Sequence, residues 1–237
     1  MIPWLSYTPH FPPVDSALDD PPGLLAAGGD LTPEWLLEAY RHGIFPWYSE
    51  GQPILWWSPD PRMVLFPGEM RISRSLRRTL RRAHFEVRLD TAFDAVVEAC
   101  AAPREDAPGT WITPEMRRAY GEMHVLGHAH SVEAWQDGKL VGGLYGIALG
   151  RAFFGESMFS RSTDASKVCL AHLARFLESR NFGVIDCQMT TTHLLSLGAR
   201  EIARHEFCAL IGELADSGSP PGRWPASAVA DTFQVSR

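Results

Sequence analysis

Two acidic side chains are the first candidates for chemistry in this chain of 237 residues. Glu156 follows Phe153-Phe154-Gly155, and Asp186 follows Val184-Ile185, so each interrupts an apolar run that is typical of a buried strand. An ionised carboxylate inside a sheet costs free energy unless it is paired or used. Both residues are therefore predicted to belong to a functional site, with a satisfied structural carboxylate as the alternative for Asp186.

Gln188 joins these candidates because it lies two residues after Asp186. Side chains two apart on a regular strand share a face, whereas Cys187 between them points to the other face. This arrangement argues against a cysteine nucleophile. A carboxamide is also too weak a base to take a proton unaided.

Five arginines form the sharpest charge pattern in the sequence. They recur at i, i+3, i+4, i+7 and i+8, and they are Arg74, Arg77, Arg78, Arg81 and Arg82. On a helix this spacing puts them on one face, which we call the arginine surface, with Leu76, Leu80 and Ala83 on another. Most charge runs are only solvated surface, but like charges repel at this spacing. In a chain of net charge −6 the cluster favours binding to a phosphate backbone.

Composition excludes several other functions. The chain is 45% hydrophobic and can bury a full core, yet no apolar stretch has the length of a membrane span, and the N-terminus lacks a basic segment. We therefore expect a cytoplasmic protein without a membrane partner. The net charge of −6 argues against indiscriminate binding to nucleic acid.

Motifs for common cofactors are also absent. The cysteines form no C-x-x-C pair, and the histidines form no H-E-x-x-H. His128 and His130 alone are a weak metal signal, and core or edge histidines are the favoured interpretation. The sequence also has no G-x-x-x-x-G-K-[ST] and no G-x-G-x-x-G motif. We expect neither a metal nor a nucleotide cofactor.

The elements that must position these residues follow from periodicity and turn signals. A meander is predicted from strands at 130–135, 140–148 and 152–154, with a turn at Asp137-Gly138. A helix after residue 166 then leads to a strand at 184–187, a helix at 193–197 and closing strands at 200–202 and 208–211.

Further helices are predicted upstream. One begins after Thr32 and ends before Gly43, one follows an Asp90 cap, and one follows Thr113-Pro114. A loop is expected at 103–110. The aromatic residues at 44–57 are broken up by prolines, and they indicate either a small aromatic core or a stacking surface for a ring ligand.

With these residues in view, the chain resembles the bacterial leucyl/phenylalanyl-tRNA–protein transferases. The matching stretches run in the family's order over nearly the whole chain. They are Gly23-Leu24-Leu25-Ala26-Ala27-Gly28-Gly29-Asp30-Leu31, Gly43-Ile44-Phe45-Pro46-Trp47, Trp56-Trp57-Ser58-Pro59-Asp60-Pro61-Arg62, Gly109-Thr110-Trp111-Ile112-Thr113, Gly127-His128-Ala129-His130-Ser131, Gly155-Glu156-Ser157-Met158-Phe159-Ser160 and Ile185-Asp186-Cys187-Gln188.

The resemblance implies an α+β fold with a small N-terminal domain (1–62) and a domain like the GCN5-related N-acetyltransferases (63–237) that ends in a C-terminal tail. It implies transfer of leucine or phenylalanine, and less readily methionine, from tRNA to proteins with N-terminal arginine or lysine. This marks those proteins for degradation by the N-degron pathway. No cofactor is implied, and nothing in the sequence demands more than a monomer.

Individual roles follow from the same resemblance. It implies catalytic roles for Asp186 and Gln188, and we expect Gln188 to orient the amine or the ester and Asp186 to fix Gln188 and the cationic amine, with the 2′-hydroxyl of the terminal ribose as a candidate proton carrier. It implies substrate binding by Glu156, either to the basic side chain or α-ammonium of the acceptor or to the adenosine end, and contact of Trp47 and Trp111 with the terminal adenosine. The arginine surface would hold acceptor-stem phosphates. Four residues are candidates for the pocket of the transferred side chain, with a plain core role as the alternative, and we call them the apolar set: Leu144, Met158, Leu173 and Ile185.

Two other functions remain as alternatives. One is an acetyltransferase that uses coenzyme A, although Ser160–Lys167 stands where that family's Q/R-x-x-G-x-G/A loop would lie. The other is a non-catalytic RNA-binding module, in which Asp186 would have no role. The sequence also departs from the transferase pattern at Thr163-Asp164 and Thr192-His193, both close to the predicted site.

Overall fold

The computed structural model describes residues 2–103, 110–218 and 220–226. The strands in this part of the chain are β1 (Trp4–Leu5), β2 (Leu24–Gly28), β3 (Phe45–Pro46), β4 (Leu55–Trp57), β5 (Arg62–Leu65), β6 (Glu86–Leu89), β7 (Ala129–Gln136), β8 (Lys139–Leu149), β9 (Ala152–Ser160), β10 (Val184–Gln188) and β11 (Arg200–Ile202). The helices are α1 (Pro33–Arg41), α2 (Arg74–Arg82), α3 (Phe93–Ala101), α4 (Pro114–Val125), α5 (Ala165–Ser179), α6 (Thr192–Ser196) and α7 (Arg204–Leu214).

The strands form two sheets. A four-stranded sheet has the order β1-β2-β4-β3, and a seven-stranded sheet has the order β11-β5-β10-β9-β8-β7-β6. In the larger sheet β7, β8 and β9 form an antiparallel meander, and α5 crosses over to β10, which lies parallel to β9. The predicted α+β class is confirmed.

The larger sheet opens between β9 and β10. These strands pair over three positions only, from Val184 opposite Ala152 to Asp186 opposite Phe154. Beyond this point β9 runs on to Ser160 with pairing to β8 alone among the described residues. The two strands therefore part at Asp186, and we call the opening between them the splay.

Two β-bulges border the splay. On β9 the register against β8 shifts between Gly155 and Ser157, which leaves Glu156 as the extra residue. On β10 the register against β5 shifts between Asp186 and Gln188. A bulge re-aims side chains locally, and bulges are common beside active sites.

Two hydrophobic clusters cover the faces of the larger sheet. One packs the sheet against α3, α4 and the four-stranded sheet, and it includes Tyr145 and Phe154. The other packs the opposite face against α5 and α2. Because the first cluster joins residues of both sheets, the division of the chain after residue 62 stays a prediction.

Two predicted helix starts and the predicted arginine-rich helix agree with the structure. The Thr113 side chain accepts a hydrogen bond from the Met116 amide and begins α4. Thr32 holds the N-cap position of α1, and Gly43 takes the left-handed backbone just beyond the end of that helix, with φ of 72°. The arginine-rich segment is the helix α2, capped by Ser73.

Asp90 was predicted to cap α3, and this prediction is wrong. The cap position is Ala92, and Asp90 instead accepts hydrogen bonds from His130 and from the Ser131 amide. The buried Glu133 on β7 takes over the capping role, because its carboxylate accepts the amides of Thr91 and Ala92 at 3.0 and 3.1 Å.

Other predicted boundaries also need correction. Residues 208–211 were expected to form a strand but lie in α7, where Phe207, Ile211 and Leu214 recur at helical spacing and are buried. Ala83 does not share the buried face of Leu76 and Leu80, because it ends α2 in the left-handed conformation and is exposed. Strand β9 is longer than the predicted 152–154, since its second half pairs with β8.

Candidate active site

Asp186 is fully buried on β10 and pairs with an equally buried arginine. Arg62 Nε donates to Asp186 Oδ1 at 2.8 Å, and Arg62 Nη2 donates to Oδ2 at 2.6 Å. The guanidinium also donates to the Gly43 carbonyl at 3.0 Å and lies 4.8 Å from the ring centre of Phe45 and 4.5 Å from that of Phe207. This two-point pairing explains how an ionised carboxylate is tolerated inside the sheet.

Asp186 also shapes the backbone at Gln188. Its Oδ1 accepts the Gln188 amide at 2.9 Å, and Gln188 has a φ of 61°, which is uncommon for a residue with a Cβ. The Gln188 side chain then donates from Nε2 to Glu156 Oε1 at 3.0 Å. Both side chains reach the same face, as predicted, but the cause is this turn and bulge rather than regular alternation.

Glu156 is 8% exposed and receives two phenol groups besides the Gln188 amide. Tyr40 on α1 donates to Oε1 at 2.7 Å, and Tyr120 on α4 donates to Oε2 at 2.8 Å. The two phenol oxygens lie 2.7 Å from each other. We call Tyr40, Tyr120 and Glu156 the tyrosine–glutamate cluster.

Burial dominates the acid–base behaviour of this cluster. Desolvation raises the pKa of Glu156 to about 7, although the hydrogen bonds from Tyr40 and Tyr120 oppose the shift. The neighbouring charge of Asp186 acts in the same direction as desolvation. Burial, and then the Glu156 charge, raise the pKa of both phenols well above the usual value. The carboxyl group is therefore poised to exchange a proton near neutral pH.

The arginine surface lies on α2, which contacts the segment that follows β9. All five of its side chains are exposed on α2, while Leu76 and Leu80 anchor the helix in the core. Within residues 2–103, 110–218 and 220–226, none of the five guanidinium groups forms an ion pair. The Thr79 hydroxyl donates to Asp164 at the start of α5, four residues after β9 ends at Ser160. The positive charge thus faces solvent on a helix that contacts the chain just after the end of β9.

Trp47 and Trp111 lie on segments that meet. Trp47 is 41% exposed, and its ring centre lies 5.4 Å from that of Trp57. The Tyr48 hydroxyl contacts the Thr113 hydroxyl at 3.3 Å, which joins the segment after β3 to the start of α4. Thr113 precedes Tyr120 by seven residues, so a helix rise of 1.5 Å per residue separates them by about 10 Å.

The apolar set lies on the opposite face of the sheet from the tyrosine–glutamate cluster. Leu144 and Met158 are paired across β8 and β9, and all four residues pack in the hydrophobic cluster that α5 forms with this face of the sheet. Leu144, Leu173 and Ile185 are buried, whereas Met158 is half-buried. The structure therefore does not bring them into contact with Glu156, and their role as a side-chain pocket stays a prediction.

Sequence reasoning missed three residues of this site. Arg62 precedes the apolar run Met63-Val64-Leu65, and a charged residue beside such a run is a candidate buried charge for the same reason as Glu156 and Asp186. Tyr40 and Tyr120 fell within amphipathic helices, where a phenol counts as part of an apolar stripe. Nothing local in the sequence indicated that both hydroxyls reach Glu156.

Some expectations concern residues outside the described ranges. The loop predicted at 103–110 includes residues 104–109, and the predicted tail includes 227–237, so neither can be compared with the structure. In the described part of the chain, no three His, Cys, Asp or Glu side chains lie together as metal ligands would. None of the helices described there combines the length and hydrophobicity that crossing a bilayer requires.

Comparisons with known proteins point to one family over nearly the whole chain. The sequence model of a family described as leucyl/phenylalanyl-tRNA protein transferase matches residues 64–212, and that of its N-terminal domain matches 29–60. Two curated proteins named leucyl/phenylalanyl-tRNA–protein transferase are similar to this chain. The one from Azoarcus sp. strain BH72 is 70% identical over 231 residues, and the one from Aromatoleum aromaticum is 67% identical over 231 residues, with 98% of both chains covered in each case.

A solved structure is also similar. A GCN5-related N-acetyltransferase from Kribbella flavida aligns with 72% of this chain and 61% of its own, at 13% identity and a TM-score of 0.37.

Proposed function

Because the chain belongs to the leucyl/phenylalanyl-tRNA–protein transferase family and is an aminoacyltransferase, we propose that it moves leucine or phenylalanine, and less readily methionine, from tRNA to a protein. The proposed acceptor is the α-amino group of a protein that begins with arginine or lysine. We further propose that the added residue marks the acceptor for degradation by the N-degron pathway, and that the enzyme acts in the cytoplasm as a monomer.

One observation carries this proposal. Glu156, Asp186 and Gln188 converge at the splay, where two strands of the sheet part. An aminoacyl ester is already activated, so the enzyme must hold an uncharged amine against the ester carbonyl and manage two protons. A fixed carboxamide beside a carboxyl group with a pKa of about 7 suits this task.

In this proposal Gln188 is the group that orients the reactants. Its carboxamide can donate to the ester carbonyl and accept from the amine. Asp186 acts through Gln188, because it holds the Gln188 amide while its own charge is matched by Arg62. We therefore revise the expectation that Asp186 pairs with the substrate amine, since Arg62 already engages both of its oxygens.

The arginine surface is the proposed contact for the acceptor stem of tRNA. Exposed guanidinium groups without ion pairs among the described residues attract phosphates without reading base sequence. Trp47 and Trp111 are the proposed contacts for the terminal adenosine, where the exposed part of an indole can stack on a base. Trp47 lies in the segment that follows α1 and β3, and Trp111 lies just before α4. These two helices carry the tyrosines that contact Glu156.

We keep the apolar set as the proposed pocket for the transferred side chain. A substrate that enters the splay reaches both faces of the sheet, so its reacting carbonyl can lie near Gln188 while its side chain points beneath α5. Met158 is half-buried on β9, and the flexible thioether of methionine suits a pocket that accepts side chains of different shape.

The test is transfer from leucyl-tRNA to two peptides that differ only at the N-terminus. We expect radiolabelled leucine on the peptide beginning with arginine and at least tenfold less on the one beginning with alanine. Binding of charged tRNA without transfer to either peptide would contradict the proposal and favour an RNA-binding module. Binding of acetyl coenzyme A in calorimetry would favour an acetyltransferase instead.

A variant of Gln188 tests the site within the same experiment. Gln188→Asn keeps a carboxamide and tolerates the left-handed backbone at this position, but its reach is shorter by one methylene. We expect slower transfer with tRNA binding unchanged. Transfer at the unmodified rate would remove Gln188 from the proposed mechanism without affecting the proposed reaction.

A further inference from the structure

The tyrosine–glutamate cluster contains three short contacts between oxygen atoms. Tyr40 to Glu156 is 2.7 Å, Tyr120 to Glu156 is 2.8 Å, and Tyr40 to Tyr120 is 2.7 Å. Each of these distances is that of an O–H···O hydrogen bond, and each such bond requires one proton. The two phenols supply one proton apiece, so two protons serve three contacts unless the carboxyl group carries the third.

The protonation state of Glu156 decides whether the cluster is satisfied. When the carboxyl group is ionised, both phenols donate to it, and the 2.7 Å contact between Tyr40 and Tyr120 has no proton. When it is protonated, the carboxyl donates to one phenol, that phenol donates to the other, and the second phenol donates back to the carboxyl. The three contacts then form a closed ring in which each phenol both donates and accepts, while the carboxyl group donates from one oxygen and accepts at the other.

We propose that this cluster is the proton acceptor of the aminoacyl transfer. Its ionised form takes a proton from the α-ammonium group of the incoming acceptor, and its protonated form holds that proton in the closed ring. In this role Glu156 is a catalytic residue, while Tyr40 and Tyr120 are positioning residues. The inference rests on the proposed function, which it extends by assigning the step that makes the amine nucleophilic.

The protons and bonds of this reaction balance. The first proton moves from the ammonium nitrogen to Glu156, and the freed lone pair forms the new C–N bond at the ester carbonyl. The C–O bond to the ribose then breaks, and the second proton from nitrogen ends on the departing ribose oxygen. The third hydrogen stays on the amide. Glu156 passes its proton to water before the next turnover, which its 8% exposure allows.

The surroundings of Glu156 favour this assignment. The groups that face it are phenols, one carboxamide and one paired carboxylate, and they are Tyr40 on α1, Tyr120 on α4, Tyr145 on β8, and Asp186 and Gln188 on β10. Arg62 matches the charge of Asp186 rather than that of Glu156. The described residues thus give Glu156 no cationic partner, so an ammonium group can take that place. A pKa of about 7 then allows the carboxyl group to work in both forms.

Glu156→Gln is the variant that separates proton transfer from structure. Glutamine has the same shape as the protonated acid, and it can accept from one phenol and donate to the other, so the ring stays closed. We expect a folded variant whose transfer at pH 8 is slower by about 10²- to 10⁴-fold. In the unmodified protein the rate should fall about tenfold per unit below pH 7, which gives the pH–rate profile an acidic limb. In the variant this limb should be replaced by one near pH 8, where the α-amino group of the free acceptor loses its proton, at about its ordinary pKa. An unchanged pH profile in Glu156→Gln would overturn the proposal.

Tyr40→Phe and Tyr120→Phe test the ring itself. Either substitution removes two hydrogen bonds from the protonated cluster but only one from the ionised cluster. The bond lost from the ionised cluster is the stronger one because its acceptor is charged, and the bonds from both phenols lower the pKa of Glu156. The acidic limb of the pH–rate profile should therefore move to higher pH in either variant. A purely structural role would lower stability and leave the limb in place.

Infrared difference spectroscopy provides a measurement that is independent of turnover. Between pH 5.5 and 8.5 the unmodified protein should lose a carboxylic acid band with a midpoint near pH 7, and Glu156→Gln should lack this change. A missing band would overturn the inference even if transfer to the arginine peptide occurs. Conversely, a titrating band without any transfer would show that the proposed function fails while the ring exists.

Discussion

The arginine surface and the carboxyl groups at the splay represent opposite solutions for placing charge in one protein. The arginines are exposed on a single helix, repel one another and have no ion-pair partner in the described part of the chain. Asp186 and Glu156 are buried, and side chains from α1, α4 and β5, together with Gln188, hold them. The tRNA affinity of the first region should therefore respond to salt, and the activity at the second should respond to pH.

The largest expected effect comes from breaking the Arg62–Asp186 pair. Arg62→Met keeps the bulk of the side chain but leaves the Asp186 charge buried without a partner. We expect a loss of about 3–5 kcal/mol in the free energy of unfolding, because an uncompensated buried charge is costly. Urea denaturation at pH 7 measures this loss.

The double variant Arg62→Met with Asp186→Leu is the matched control. Removing both charges should restore most of the stability while abolishing the hydrogen bond to the Gln188 amide. Transfer should therefore stay slow in the refolded double variant. If Arg62→Met alone changes stability by less than about 1 kcal/mol, the pair is not the support of the buried region that its geometry suggests.

The two regions also differ in how much of each could be predicted from the sequence. The arginine surface follows from spacing within nine residues, because helical periodicity is local. The carboxyl groups were identifiable as interruptions of apolar runs, but their partners were not. Tyr40 and Arg62 lie 116 and 124 positions away from Glu156 and Asp186, and only the packing of helices and strands brings them together.

Backbone irregularity limited the prediction in the same region. Regular alternation explains why Asp186 and Gln188 were expected on one face, but it does not predict the bulge or the positive φ that directs Gln188 to Glu156. In contrast, the meander and the crossover helix were readable, because turn signals and apolar periodicity agree there.

The next largest effect should be the pH dependence of stability that Glu156 creates. Its folded pKa of about 7 lies above the unfolded value of 4.5, so the folded state binds more protons between these values. Stability from this group is fully present below pH 4.5 and falls progressively up to about pH 7, by about 3 kcal/mol. Glu156→Gln should therefore gain stability relative to the unmodified protein as pH rises through this window, and the gain should level off above it.

Chemical denaturation at pH 4.5, 6 and 8 measures this difference. Asp164→Asn is a useful control, because the hydrogen bond from Lys167 lowers the pKa of Asp164 below its ordinary value of 3.8. Its linkage therefore has the opposite sign and lies below the tested range, so its stability difference should stay nearly constant across the three pH values. A constant difference between Glu156→Gln and the unmodified protein at all three pH values would mean that Glu156 does not titrate in this range.

The smallest effect on stability should come from the arginine surface. Neutralising Arg74, Arg78 and Arg81 to glutamine removes charge from exposed positions without ion pairs, so the free energy of unfolding should change by less than about 1 kcal/mol. Binding of tRNA should nevertheless weaken. The plot of log affinity against log salt concentration should lose roughly two to three units of slope, because each phosphate contact contributes just under one unit.

The control for this result carries the same change in net charge at another place. Arg88, Arg117 and Arg118 are not part of α2, and neutralising them to glutamine also removes three positive charges. If both triple variants lower the slope equally, only the overall charge of the protein matters, and the arginine surface has no specific role. The alternative result is that only the α2 variant lowers the salt slope, while its pH–rate profile still has the acidic limb near pH 7. In that case the arginine surface binds tRNA, the groups at the splay carry out the chemistry, and the two functions are separable.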